Sequence, residues 1–116
     1  MILLLSDLVT WNDFEKIDMR VGTILEARVF PKAKKPAFQL VIDFGEIGLK
    51  KSSAQITALY DPASLVGKQV IAVVNFPPRQ IANFMSECLV LGVYNEGGEV
   101  VLLQVERAVA NGSKVG

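Results

Sequence analysis

With 116 residues, 51% of them hydrophobic, and a mean hydropathy of +0.37, the chain fits one domain (1–116). Its apolar surplus is large for a small core and points to contact with a second copy. Twelve basic and twelve acidic residues cancel, which excludes a globally cationic binder of DNA or of an anionic membrane. No histidine is present, so the commonest general base, the Ser-His and Cys-His nucleophile pairs and most zinc sites are excluded, and the lone Cys88 has no partner for an internal disulfide.

Residues 1–12 read as an N-terminal extension. Ile2 to Leu5 is apolar but far too short for a signal segment or a membrane span, so a cytoplasmic protein is expected. Asn12-Asp13-Phe14-Glu15 has the spacing of a capping box that opens a short helix. From Asp18 the period becomes two: Met19, Val21, Leu25, Ala27 and Val29 alternate with Asp18, Arg20, Glu26 and Arg28, a half-buried strand in which Gly22 suggests a bulge. Pro31 to Pro36 is a basic loop carrying Lys32, Lys34 and Lys35. Phe38, Leu40, Ile42 and Phe44 alternate with polar residues as a second strand, and Gly45 to Gly48 is its turn. Leu49 to Gln55 is a third strand, with Lys51, Ser53 and Gln55 on one polar face. Asp61-Pro62 is an N-cap followed by proline at the first helical position, with Gly67 placed to end that helix. Lys68 to Phe76 and Ser86 to Tyr94 are the fourth and fifth strands, and Val100 to Val105 adds a C-terminal run after the Glu96 to Glu99 turn. Cys88 falls where the strand pattern buries it.

Three strands, a helix and two more strands is the order of an OB fold, an all-β, five-stranded Greek-key barrel. Here it carries one short helix and a C-terminal strand or hairpin arm suited to dimerisation. Such barrels bind ligands on strands two and three and in the loops joining strands one to two and four to five. Those loops are Pro31 to Pro36 and Pro77 to Met85. The second is long for a hairpin connection and carries two prolines, Arg79, Phe84 and Met85.

The segments Asp13 to Gly22, Lys35 to Phe38, Ile42 to Gly45, Lys50 to Ile56 and Val74 to Ile81 together resemble the CsaA group of small bacterial secretion chaperones. More widely, Asp18 to Gly22, Asn75, Pro78-Arg79 and Ser86 resemble the tRNA-binding domain appended to some methionyl- and phenylalanyl-tRNA synthetases. The resemblance implies an OB-fold homodimer without enzymatic activity or cofactor. The partners it implies are unfolded preproteins and the export motor SecA, or, in the wider family, tRNA. Where tRNA-binding domains tend to read Ser-x-Gly-Met, this chain has Ser86-Glu87-Cys88-Leu89. It thereby loses the glycine that lets a phosphate backbone approach and the methionine that stacks.

Two sets of candidate contacts follow. For an unfolded polypeptide, Phe76, Phe84 and Met85 offer apolar surface, and Asn75, Arg79, Ser53 and Gln55 offer polar contacts. For RNA, Lys34, Lys35, Lys50, Lys51, Arg79 and Ser86 can face a phosphate backbone. Each has a plainer alternative. Arg79 can pair with Glu87, the large apolar residues can be buried, and the lysines can be solvated: between Arg28 and Gln55, Arg28, Lys32, Lys34, Lys35, Lys50 and Lys51 stand against Asp43 and Glu46, a local net of +4.

Overall fold

The computed structural model describes residues 7–116; the Ile2 to Leu5 run lies outside them. Two short helices and nine strands follow in order: α1 Trp11–Glu15, β1 Met19–Val29, β2 Phe38–Asp43, β3 Leu49–Ala54, α2 Pro62–Leu65, β4 Gln69–Val73, β5 Arg79–Ile81, β6 Phe84–Ser86, β7 Leu89–Val90, β8 Gly92–Tyr94 and β9 Val100–Leu102. A five-stranded antiparallel sheet of order β3-β2-β1-β4-β7 curls on itself. The gap between its end strands is narrowed where the Glu87 amide donates to the Lys51 carbonyl (2.7 Å) and the Ser52 hydroxyl to the Cys88 carbonyl (3.0 Å). The result is the nearly closed barrel of an OB fold.

Local chemistry explains the element boundaries. The first helix is capped by Thr10, not Asn12. The Thr10 hydroxyl accepts from the Asp13 amide and the Asp13 carboxylate accepts from the Thr10 amide, both at 3.1 Å. A second reciprocal box holds α2, where the Asp61 carboxylate accepts from the Ser64 amide and Pro62 needs no N–H partner. Gly67 then takes a φ of +91°, the left-handed turn by which glycine ends helices.

The bulge in β1 falls between Ile24 and Glu26, not at Gly22. Ile24, opposite Ile42, is fully buried; Leu25 is the extra residue and is exposed, and beyond it Ala27 and Val29 return to the core-facing side opposite Leu40 and Phe38, with Val29 exposed at the strand's end. Gly22 has a different task. A Cβ there would stand 2.6 Å from Ile42 Cγ2 and 2.7 Å from two Phe44 ring carbons, so the absence of a side chain lets β1 lie against the core. That core is Ile24, Leu40, Ile42, Phe44, Leu65 and Val70, all at 0% exposure, with α2 plugging the barrel through Leu65.

The later strands are shorter than the sequence pattern suggests. The fourth stops at Val73, and the expected fifth, Ser86 to Tyr94, is broken into three pieces. Gly92 marks the second break, since a Cβ there would meet Val100 Cγ1 at 2.6 Å and the Val101 carbonyl oxygen at 2.8 Å. Strands β8 and β9 form a two-stranded arm. Beyond it the tail returns to β1: Gly112 N–H donates to the Val21 carbonyl (2.7 Å), Val21 N–H to Ser113 and Val115 N–H to Met19 (both 2.9 Å). The Arg20 guanidinium reaches the Gly112 carbonyl at 3.0 Å while pairing with Asp18. Asn111 bonds Thr23 and Gln69 from the same segment.

Candidate functional site

The long connection after β4 is not an open loop. Arg79–Ile81 and Phe84–Ser86 pair as a hairpin with Arg79↔Ser86, Gln80↔Met85 and Ile81↔Phe84 opposite one another. Its two-residue turn begins at Ala82 with φ +50°, a left-handed conformation that a non-glycine residue adopts at a cost. Pro77 and Pro78 hold the approach to the hairpin extended. Because alternate residues face opposite ways, Arg79, Ile81, Phe84 and Ser86 share one face, while Gln80 and Met85 share the other.

The inward face docks on β3. Ser86 Oγ accepts from the Ser53 amide at 3.1 Å. The Phe84 ring packs edge-on against Phe30 at 5.4 Å, and Lys51 Nζ lies 5.4 Å from its centroid, a cation–π contact. Glu87, whose carboxylate accepts from the Lys51 amide at 2.9 Å, does not pair with Arg79. Among the described residues Arg79 forms no ion pair.

Beside this junction lies a cleft of about 1170 Å³. Its walls are the basic loop with Lys32, Lys34 and Lys35, Ser53 at the end of β3 and Gln55 just beyond it, the segment from Phe76 to Ala82 with Arg79, and Ser86 to Leu91. Phe76 is 54% and Tyr94 79% exposed on its rim. The cleft therefore brings together Lys34, Lys35, Ser53, Gln55, Phe76, Arg79 and Ser86. The remaining candidates lie elsewhere. Met85 points away on the outward face of the hairpin, and Phe84 is half-buried on Phe30 and Lys51. The Asn75 side chain joins the two chain segments at the base of β1, accepting from the Asp18 amide at 3.0 Å and donating to the Lys16 carbonyl at 2.7 Å. Lys50 and Lys51, neighbours on a strand, face opposite sides of it: Lys50 is paired with inward Ile42 and Lys51 with outward Val41.

Cys88 at the cleft floor is 6% exposed. Burial pushes its thiol up to about 11, against smaller opposing effects from the Ser52 hydrogen bond and the Lys50 charge. It is a packing residue, unsuited to nucleophilic chemistry. Among the described residues no group of three His, Cys, Asp or Glu side chains gathers as a metal site. Tyr94 and Leu89 were missed as cleft residues because an unbroken strand to Tyr94 carries no hint of a cavity; Gly92 inside that run was the available signal.

The OB barrel thus carries its cleft between the first interstrand loop and the fourth-to-fifth connection. Residues 19–114 match the family described as "Putative tRNA binding domain". The chain belongs to this family. As a tRNA-binding-family domain it is 39% identical over 101 residues to a methionine–tRNA ligase of Methanocaldococcus jannaschii, covering 87% of this chain but 15% of the ligase. The domain thus spans a small part of the curated relatives it matches. Two solved structures are alike along nearly their whole length. A chaperone CsaA from Bacillus anthracis shares 50% identity with a TM-score of 0.89, covering 94% of this chain and 99% of that one. A CsaA chaperone protein from Picrophilus torridus shares 53% identity with a TM-score of 0.88, covering 94% and 100%.

Proposed function

We propose that this domain is a non-enzymatic, CsaA-type chaperone that holds unfolded, export-bound polypeptides in the cleft, acting as a cytoplasmic homodimer. The observation that carries the reading is the cleft itself: apolar and aromatic rim residues surround polar groups and an Arg79 guanidinium that no carboxylate among the described residues neutralises. Such a surface holds a chain without chemistry, through apolar contact at Phe76 and charge-assisted hydrogen bonds from Arg79. Similarity along nearly the whole length to two CsaA chaperones supports it. Among the described residues no helix is long and apolar enough to cross a membrane. For the homodimer, the supporting observation is the arm: Val93 is 51%, Tyr94 79% and Val101 37% exposed on a two-stranded ribbon, apolar surface that a second copy would cover. Preproteins and SecA are the partners this reading supplies.

A second reading, tRNA binding, has its own support in the family match and in the lysine cluster on one lip of the cleft. Lys34, Lys35 and Arg79 can face phosphates together, with Lys51 on the neighbouring outer face; Lys50 cannot join them from the opposite side of β3.

A salt titration separates the two. Labelled tRNA and a labelled unfolded preprotein segment are titrated against sized protein, wild type and Arg79→Ala. Polypeptide binding that falls less steeply with salt than tRNA binding does, and weakens at least several-fold in Arg79→Ala, supports the chaperone. Binding of tRNA alone, with log affinity falling steeply against log salt, refutes it in favour of the RNA reading.

A further inference from the structure

The cleft is more than a concavity, because one of its walls is the edge of a strand. Along β3, alternate residues turn their backbone N–H and C=O groups away from β2. Lys51 and Ser53 do so, as their bonds to Glu87 and Ser86 show. Gln55, one residue past the end of β3, stands in the same phase as Lys51 and Ser53. Closure of the barrel stops at Ser53. Among the described residues the Gln55 backbone forms no hydrogen bond, although it lines the cleft. An unpaired strand edge is a template for another extended chain.

We propose that this open end of β3 receives an extended polypeptide segment as an added strand, bonded through the Ser53 carbonyl and the Gln55 N–H, with acidic side chains of the segment met by Lys34, Lys35 and Arg79. Charge fixes the class of segment. The walls carry three lysines and one arginine against Glu87 alone, and the Glu87 carboxylate is already bonded to the Lys51 amide. The cleft, at about 1170 Å³, exceeds the roughly 300–1,000 Å³ of small-molecule pockets, which fits a length of chain better than a metabolite. Backbone pairing reads no sequence, so one edge serves many clients, and side-chain charge supplies the preference. This inference rests on the polypeptide-holding reading above.

The test uses an acetylated eight-residue peptide that alternates valine with aspartate or serine, and the same peptide N-methylated at its two central residues so that neither of its edges can pair there. Fluorescence polarisation compares their affinities for the wild type, for Gln55→Pro and for Arg79→Ala, with thermal melts confirming that each variant is folded. At least a tenfold loss is expected on N-methylation. Gln55→Pro, which removes a donor the fold itself does not use, should lower binding of the parent peptide similarly and make it indifferent to methylation. If both peptides bind wild type within threefold of each other and Arg79→Ala weakens both, strand addition is wrong while polypeptide holding stands. If neither peptide binds and labelled tRNA does, the polypeptide reading fails and this proposal with it.

Discussion

Replacing Gly22 with alanine isolates the close approach of β1 to the core. A single methyl would be placed 2.6 Å from Ile42 Cγ2 and 2.7 Å from Phe44 Cδ1 and Cε1, and both neighbours are fully buried. Neither can swing into solvent, so the strand must shift or the ring must leave its rotamer. Overpacking of this kind costs about 1–3 kcal/mol, and three contacts this short place Gly22→Ala near the upper end. A domain of this length has an unfolding entropy of about 0.24 kcal/mol per kelvin, so a loss of about 3 kcal/mol lowers the melting temperature by roughly 12 °C. Calorimetry on Gly22→Ala, Phe44→Leu and the double variant is the assay. The double variant should be less destabilised than the two single losses added together, because the smaller side chain makes room for the methyl. Gly98→Ala is the contrast, with φ +80° but open space around it, and should cost about 1–2 kcal/mol from backbone conformation alone. A Gly22→Ala melt within 2 °C of wild type would falsify the steric account.

Three further outcomes are expected. Asn75→Ala removes two hydrogen bonds that join the start of β1 to the end of β4, and urea unfolding should show a loss of about 1–2 kcal/mol; unchanged stability would leave Asn75 free for a purely binding role. Ala82→Gly relieves the left-handed turn at φ +50° and should steady the hairpin by about 0.5–1 kcal/mol, read as slower amide exchange across β5 and β6. Faster exchange would contradict it. The Cys88 thiol, raised from 9.0 to about 11 by burial, should resist alkylation in the native state at pH 8 and react only on unfolding. Because its folded pKa is the higher one, its contribution to stability is complete below pH 9 and declines as pH rises from 9 to 11; a thiol that reacts at the free-cysteine rate would rule this out.

The barrel was legible because its central strands obey simple alternation. Phe38, Leu40, Ile42 and Phe44 are all buried, and Asp61-Pro62 starts α2 where capping chemistry says it should. The errors arose where tertiary contact overrides local pattern. Thr10 and Asn12 both have cap-forming side chains, and which of them caps depends on how the chain enters the helix. In β1, periodicity alone cannot distinguish a bulge glycine from a close-packed one, and the extra residue after Ile24 turns Leu25 out against the expected alternation. The hairpin inside 75–86 escaped because Ala82-Asn83 lacks the glycine that announces a tight turn. As for the site, strand periodicity correctly put Lys51 and Ser53 on the outward face, and it also requires Lys50 to face the other way. No local signal linked the basic loop to Arg79; only barrel closure brings them to one cleft.

The return of residues 112–115 to β1 has a consequence for synthesis. The first half of β1 is made early, yet its neighbour in the sheet, β4, and the tail lie far along the chain, with Arg20 and Gly112 separated by 92 positions. While a ribosome is still making the second half, that strand waits with both edges bare, and only emergence of the segment around Val115 can cover the last of them. A chain stopped before Asn111 would retain a permanently uncovered strand edge. Its characteristic failure would then be sticking to other chains.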